Sequence, residues 1–264
     1  MSVAPAAGPT RIRSVAMPEH SLNRASRRPA RDPLRPGSLL AVCGLAGGVG
    51  VTSLSYLIAL GAARQWLSPV LVADTGGPSG GLAACAGVEV PRSLAELAEQ
   101  LATGVPLGGG IYATGRYELR VLATGPEFST PQAPAQVLEL LRDAREAHGL
   151  TVIDCGTLTR AAEQTAAAAA THIAWVLTAT THGVDRGRRI LELAPQMGGK
   201  ELIVARNDGE QAGAPLRQLR RMATERGATL VLVPHLSGLG TGRVEACIDA
   251  AQVPVQAILG ALRR

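Results

Sequence analysis

Lysine occurs once in these 264 residues, at Lys200, and the other 25 of its 26 basic residues are arginine. A genome biased toward arginine would produce that ratio, but such drift would leave a cation wherever one is needed. No stretch of about 18 apolar residues runs without a charge or a Gly/Pro break, so no membrane-spanning helix is expected. The first residues lack the apolar segment of a secretory signal, and a soluble, cytoplasmic protein is the expectation. Cys43, Cys85, Cys155 and Cys247 have no CxxC spacing, and most sit among apolar or small residues, so they read as reduced core thiols. His20, His148, His172, His182 and His235 show no metal-ligand spacing and read as structural.

What is present divides the chain in two. Residues 1–37 hold seven arginines, two acids and six prolines, with almost nothing to bury, and carry the whole net charge of +5. Such a composition cannot offset the entropy of ordering, so this tail is expected to be disordered. It is either a solubilising leader or an electrostatic arm for nucleic acid or another acidic surface. Residues 38–264 are expected to form one domain, since 46% hydrophobic content over this length supports one sizeable core.

Within that domain, apolar runs at Leu39–Cys43, Val70–Ala73, Leu119–Ala123, Thr151–Ile153, Ile173–Leu177, Glu201–Ala205 and Thr229–Val233 read as buried strands. Helical spacing is found in Thr52–Arg64, Ser93–Thr103, Pro131–His148, Arg160–Ala170, Val184–Met197, Ala214–Arg226 and Arg243–Leu262. The alternation predicts an α/β fold, a mostly parallel sheet with helices on both faces. Ligands of such sheets bind beyond the carboxyl ends of the strands. The Gly44–Ser53 segment, Gly-Leu-Ala-Gly-Gly-Val-Gly-Val-Thr-Ser, falls at one of those ends, and Asp74 and Asp154 fall at two others. A Gly-rich loop between a strand and a helix aims successive backbone N–H groups at an anion. This loop has that form and no cation. Gly108-Gly109-Gly110 runs into no clear helix and reads as a flexible loop. The arginines 186, 188, 189, 217, 220 and 221 form either a solvated helix surface or a nucleic-acid surface.

These motifs, in this order, resemble the ParA/MinD group of P-loop ATPases of the SIMIBI class, over most of residues 38–264. The family loop reads Lys-Gly-Gly-Val-Gly-Lys-Thr-Thr/Ser. Aligned on Gly47-Gly48-Val49-Gly50, its signature lysine falls on Ala46 and its phosphate lysine on Val51, while Thr52 matches the magnesium-binding hydroxyl and Ser53 follows. The segment Val70–Leu82 resembles the family's switch region: Asp74 matches its first aspartate, and Gly76 stands where a second positions the attacking water. Asp154 matches the Walker B aspartate. Asn207 and Pro234 resemble the residues that approach the adenine, although the order here is Arg-Asn where the family has Asn-Arg. The resemblance therefore implies nucleotide contacts at Gly47, Gly48, Val49, Gly50, Val51, Thr52, Ser53, Asn207 and Pro234, and magnesium ligands at Thr52, Asp74 and Asp154. ATP and magnesium are the implied cofactors, held weakly or not at all.

Phosphoryl transfer depends on positioning and on charge stabilisation, and loss of a cation at the developing charge costs several kcal/mol. With both lysines and the water-positioning aspartate missing, no catalytic residue is assigned. The expected function is a degenerate, non-hydrolysing or very weakly hydrolysing regulator or scaffold that positions or recruits a partner protein complex. Two alternatives stay open: a working ATPase in partitioning, positioning or secretion-system assembly, and a nucleic-acid binder acting through the tail. Family members also form dimers around nucleotide, and some carry a terminal membrane helix. Here Val255, Ile258, Leu259 and Leu262 make an apolar stripe too short for stable insertion.

The charge division yields a test. Residues 38–264 have no net charge, so deleting residues 1–37 is expected to remove most affinity for DNA or RNA. Fluorescence anisotropy across a salt series checks this. Undiminished binding by the truncated chain would assign the affinity to the helical arginines.

Overall fold

The computed structural model describes residues 37–65, 68–75, 81–89, 103, 112–123, 134–197, 200–207, 213–236 and 244–263. All of them belong to the larger of two units into which the chain divides, Asp32–Arg264. The tail up to residue 36, Gly76, Gly108–Gly110 and all of the expected Ser93–Thr103 helix except Thr103 lie outside the described residues.

Eight strands form one sheet: β1 Ser38–Gly44, β2 Val70–Asp74, β3 Ala113–Thr114, β4 Arg120–Leu122, β5 Leu150–Asp154, β6 His172–Thr178, β7 Glu201–Asn207 and β8 Thr229–Pro234. Their order is β3-β4-β2-β5-β1-β6-β7-β8, parallel throughout except for the antiparallel β3–β4 pair. All seven strands expected from sequence are present. The addition is β3, whose two residues are too few to show a period.

The sheet divides the core by strand parity. Leu40 and Val42 of β1 face α1 (Val51–Ala63), α2 (Gly81–Ala86) and, beyond them, other elements of one layer; Leu39, Ala41 and Cys43 face the opposite layer. That opposite layer contains α3 (Pro134–Ala147), α4 (Ala161–Ala169), α5 (Thr181–Leu193) and α6 (Ala214–Arg226). Helix α7 (Val244–Ala261) completes the first layer, with Val255, Ile258 and Leu259 buried in it beside Leu262. A Cβ on Gly61 of α1 would come within 2.5 Å of Val255 Cγ1, so the two helices touch at a glycine. The terminal stripe is thus a docked core face. Among the described residues, no helix is long and apolar enough to cross a membrane.

Helix ends follow local chemistry. Helix α5 begins three residues before its apolar period because the Thr180 hydroxyl accepts the Gly183 N–H at 3.1 Å. Helix α6 stops at Gly227, whose φ of 64° is a left-handed cap. At the amino end of β7, Glu201 and Arg226 form a buried ion pair, with Arg226 Nε donating to Glu201 Oε1 at 2.5 Å. Arg226 also donates to the Leu191 carbonyl at 2.6 Å and the Pro195 carbonyl at 3.0 Å, which joins β7, α6 and the end of α5.

Removing one member of a buried pair strands the other charge. Arg226→Met is therefore expected to destabilise the fold by about 3–5 kcal/mol, read as a lower urea midpoint. Arg221→Ala, which breaks the exposed Arg221–Glu225 pair of the same helix, is expected to leave the midpoint unmoved. Equal shifts in the two variants would show that the buried pair does not join these elements.

Candidate functional site

The loop after β1 is fixed at its entrance by the sheet. The Gly44 N–H donates to the Gly156 carbonyl at 2.7 Å and the Leu45 N–H to the Val176 carbonyl at 2.8 Å, beyond β5 and within β6 respectively. Gly48 and Gly50 adopt φ of 72° and 93°, a region that favours glycine, and the chain then turns into α1. A Cβ added at Gly47, Gly48 or Gly50 would meet no heavy atom within 4 Å, so the loop borders open space. The first N–H groups of α1 lie at this opening and favour an anion there.

Val51 stands where the resemblance places the phosphate lysine. It is buried, and a Cβ built on Gly44 would lie 2.7 Å from Val51 Cγ2. The side chain thus folds onto the first residue of the loop, and Val49 is buried in the same apolar cluster. Ala46, in the signature-lysine position, packs against that cluster. Burial pushes the Cys85 thiol up, while the nearby Ser53 hydroxyl acts the other way.

The oxygen-bearing residues do come together. Thr52 Oγ1 donates to Asp154 Oδ2 at 2.5 Å, and the Gly156 N–H donates to Asp154 Oδ1 at 3.0 Å. Thr75 Oγ1 donates to the Asp154 carbonyl at 2.9 Å. Asp74 and Asp154 are register partners on β2 and β5, and both are buried. Burial raises the Asp154 carboxyl above the ordinary carboxylate range, opposed by its bonds from Thr52 and Gly156. Oxygen donors of this kind fit a hard cation such as magnesium.

At the other end of the loop, Val49, Gly50, Ser53, Arg206, Pro234 and His235 help line a cavity of 70 Å³. Pro234 is the register partner of Asn207. Strand parity places Arg206 with Leu202 and Val204 on the loop's side of the sheet, and Asn207 with Ile203 and Ala205 on the other. The Arg-Asn order thus brings an arginine to the loop. Arg206 Nη1 donates to the Gly48 carbonyl at 3.2 Å. Arg186 of α5 donates through Nε to the Leu45 carbonyl at 3.0 Å, whereas the sequence offered it a solvated helix surface or a nucleic-acid surface. Neither arginine is among the site residues expected from sequence. The parity of Arg206 with Leu202 and Val204 was the available signal; nothing local marks Arg186.

The architecture is that of the ParA/MinD P-loop ATPases. The chain is similar to a ParA family ATPase from Chlorobium tepidum TLS, with a TM-score of 0.67 and 13% identity over 86% of this chain and 98% of that one. A chain of the MinC:MinD cell division protein complex of Aquifex aeolicus gives 0.65 and 15%, over 84% and 96%. Cobyrinic acid a,c-diamide synthase from Mycobacterium smegmatis, solved with bound ADP and magnesium, gives 0.61 and 17%, over 84% and 94%. At these identities the likeness is one of fold. No family model matches the sequence, and no curated protein matches it.

A carboxyl whose folded pKa is raised costs nothing below its unfolded pKa and destabilises increasingly as pH rises through the folded value. Asp154→Asn, which keeps an oxygen to accept a hydrogen bond, is therefore expected to stabilise the protein at pH 7 in magnesium-free buffer by about 0.5–2 kcal/mol. The gain should vanish toward pH 4. Thermal melts at the two pH values check it, and a loss of stability at pH 7 would show that the charged carboxylate is favoured in the fold.

Proposed function

We propose that this chain is a non-cycling relative of the ParA/MinD ATPases, a regulatory or scaffold factor that positions or recruits a partner protein complex in the cytoplasm. The packing of Val51 onto Gly44 carries the reading, because an apolar side chain there supplies no charge to the outer phosphates of a nucleotide. The open space beside Gly47, Gly48 and Gly50 and the Thr52–Asp154 pair support retained, weak nucleotide binding. ATP would rest on the backbone N–H groups of residues 47–53, and Thr52, Asp74 and Asp154 would hold magnesium, which neutralises phosphate charge when bound. The A. aeolicus structure is a complex of MinD with MinC, which supports an action through a partner protein. A homodimer around the nucleotide is part of the proposal, as is a folded unit that begins near Ser38.

The charge on residues 1–37 favours a second reading, in which the tail attaches the scaffold to nucleic acid.

Hydrolysis separates the scaffold from a working ATPase. Purified full-length protein with ATP and magnesium is expected to release phosphate no faster than a Thr52→Ala, Asp154→Ala variant. Val51→Lys is expected to tighten ATP binding by roughly tenfold or more, since a charge-assisted bond to phosphate contributes about 1.5–3 kcal/mol. Sustained turnover above the control would overturn the scaffold reading. An unchanged affinity in Val51→Lys would show that the loop no longer presents its amides to phosphate.

A further inference from the structure

We infer that Arg206 and Arg186 are positioning residues of the glycine loop, which hold its backbone in the cradle shape without a nucleotide and supply from β7 and α5 the cations that the loop lacks. The inference deepens the scaffold reading and rests on it in one respect: a protein that does not cycle has use for a loop whose shape is independent of ATP.

A loop with glycines at 44, 47, 48 and 50 loses much conformational entropy when ordered. The sheet anchors only its entrance, through the Gly44 and Leu45 N–H groups. The two guanidinium groups take up carbonyls of the loop, one at the entrance and one beyond it. Arg186 Nε donates to Leu45 at 3.0 Å and Arg206 Nη1 to Gly48 at 3.2 Å, both charge-assisted bonds. A trans peptide sets each N–H opposite the carbonyl that precedes it. Fixing the Leu45 and Gly48 carbonyls toward the arginines therefore turns the Ala46 and Val49 N–H groups the other way. The arginines thus set the direction in which two amides of the loop point.

The surrounding packing brings both cations within reach. A Cβ on Gly187 would lie 2.9 Å from Leu177 Cδ1 and 3.2 Å from Leu45 Cδ1, so α5 comes against the loop at a glycine, one residue after Arg186. Arg206 is the register partner of Thr178, at the end of the strand whose Val176 carbonyl accepts the Leu45 N–H. The two arginines therefore approach the loop from adjacent elements, one at its entrance and one at its middle.

Hydrogen–deuterium exchange on the full-length protein without nucleotide tests this. Peptides covering residues 44–52 are expected to exchange at least about tenfold faster in an Arg186→Ala, Arg206→Ala variant, because bonds to charged groups are strong enough for that change. Peptides from β5 and β6 should be unaffected. Arg206→Lys should restore part of the protection lost in Arg206→Ala, Gly187→Ala should behave like Arg186→Ala, and Arg189→Ala should change nothing. Unaltered exchange in the double variant, or a wild-type loop that exchanges as fast as an unstructured peptide, would overturn the inference. Its failure is distinguishable from that of the scaffold reading, because ATP turnover by the wild type sinks the latter and leaves the exchange result standing.

Discussion

Everything at the site depends on β1 being buried on both faces. Leu39, Leu40, Ala41, Val42 and Cys43 are all inaccessible to solvent, so the strand must lie in the middle of the sheet, with β5 on one side and β6 on the other. Its carboxyl end then emerges between theirs. Gly44 hydrogen-bonds Gly156 just past β5, and Leu45 hydrogen-bonds Val176 of β6. The same placement sets Asp154 beside the loop and lets Thr52, in the first turn of α1, reach it. Chemistry that lies far apart in the chain is thus assembled by a strand with no polar side.

A glycine loop that holds an anion needs positive potential, and here two arginines lie beside the loop. The first N–H groups of α1 lie at the opening. Side-chain cations reach the loop from neighbouring elements, where Arg186 and Arg206 donate to its carbonyls. A charge in that position stabilises the loop and its amide directions more than it stabilises charge developing on a transferred phosphoryl group. Within the loop itself Ala46 and Val51 are apolar, while Thr52 and Asp154 bring oxygen donors to its edge.

Legibility in the sequence follows how local each cause is. Strands buried on both faces appear as short apolar runs, which is why Leu39–Cys43 and Ile173–Leu177 read correctly and the two-residue β3 does not. Thr52 and Asp154 are 102 residues apart; the strand-end rule brought them to one edge of the sheet and the resemblance gave both a role at magnesium, but only the structure placed their side chains 2.5 Å apart. The period-two rule applied to Leu202, Val204 and Arg206 would have exposed the arginine that faces the loop, but composition alone makes arginine on a strand end look solvated. Arg186 was illegible for a different reason. Its role depends on the close approach of α5 at Gly187, a packing distance that no spacing encodes.

The retention of Asp154 adds a final constraint. Folding buries this carboxyl at an energetic cost, with hydrogen bonds from Thr52 and Gly156 offsetting part of it. Glu201, by contrast, is buried against the guanidinium of Arg226, so its burial is explained by structure alone. Asp154 receives neutral donors, a weaker compensation than a charged partner. A buried acid supported in this way stabilises a fold less than the apolar or amide residue that could replace it. The Thr52–Asp154 pair thus has the character of a site and not of a scaffold core, which is the physical ground for the proposed binding of magnesium and nucleotide.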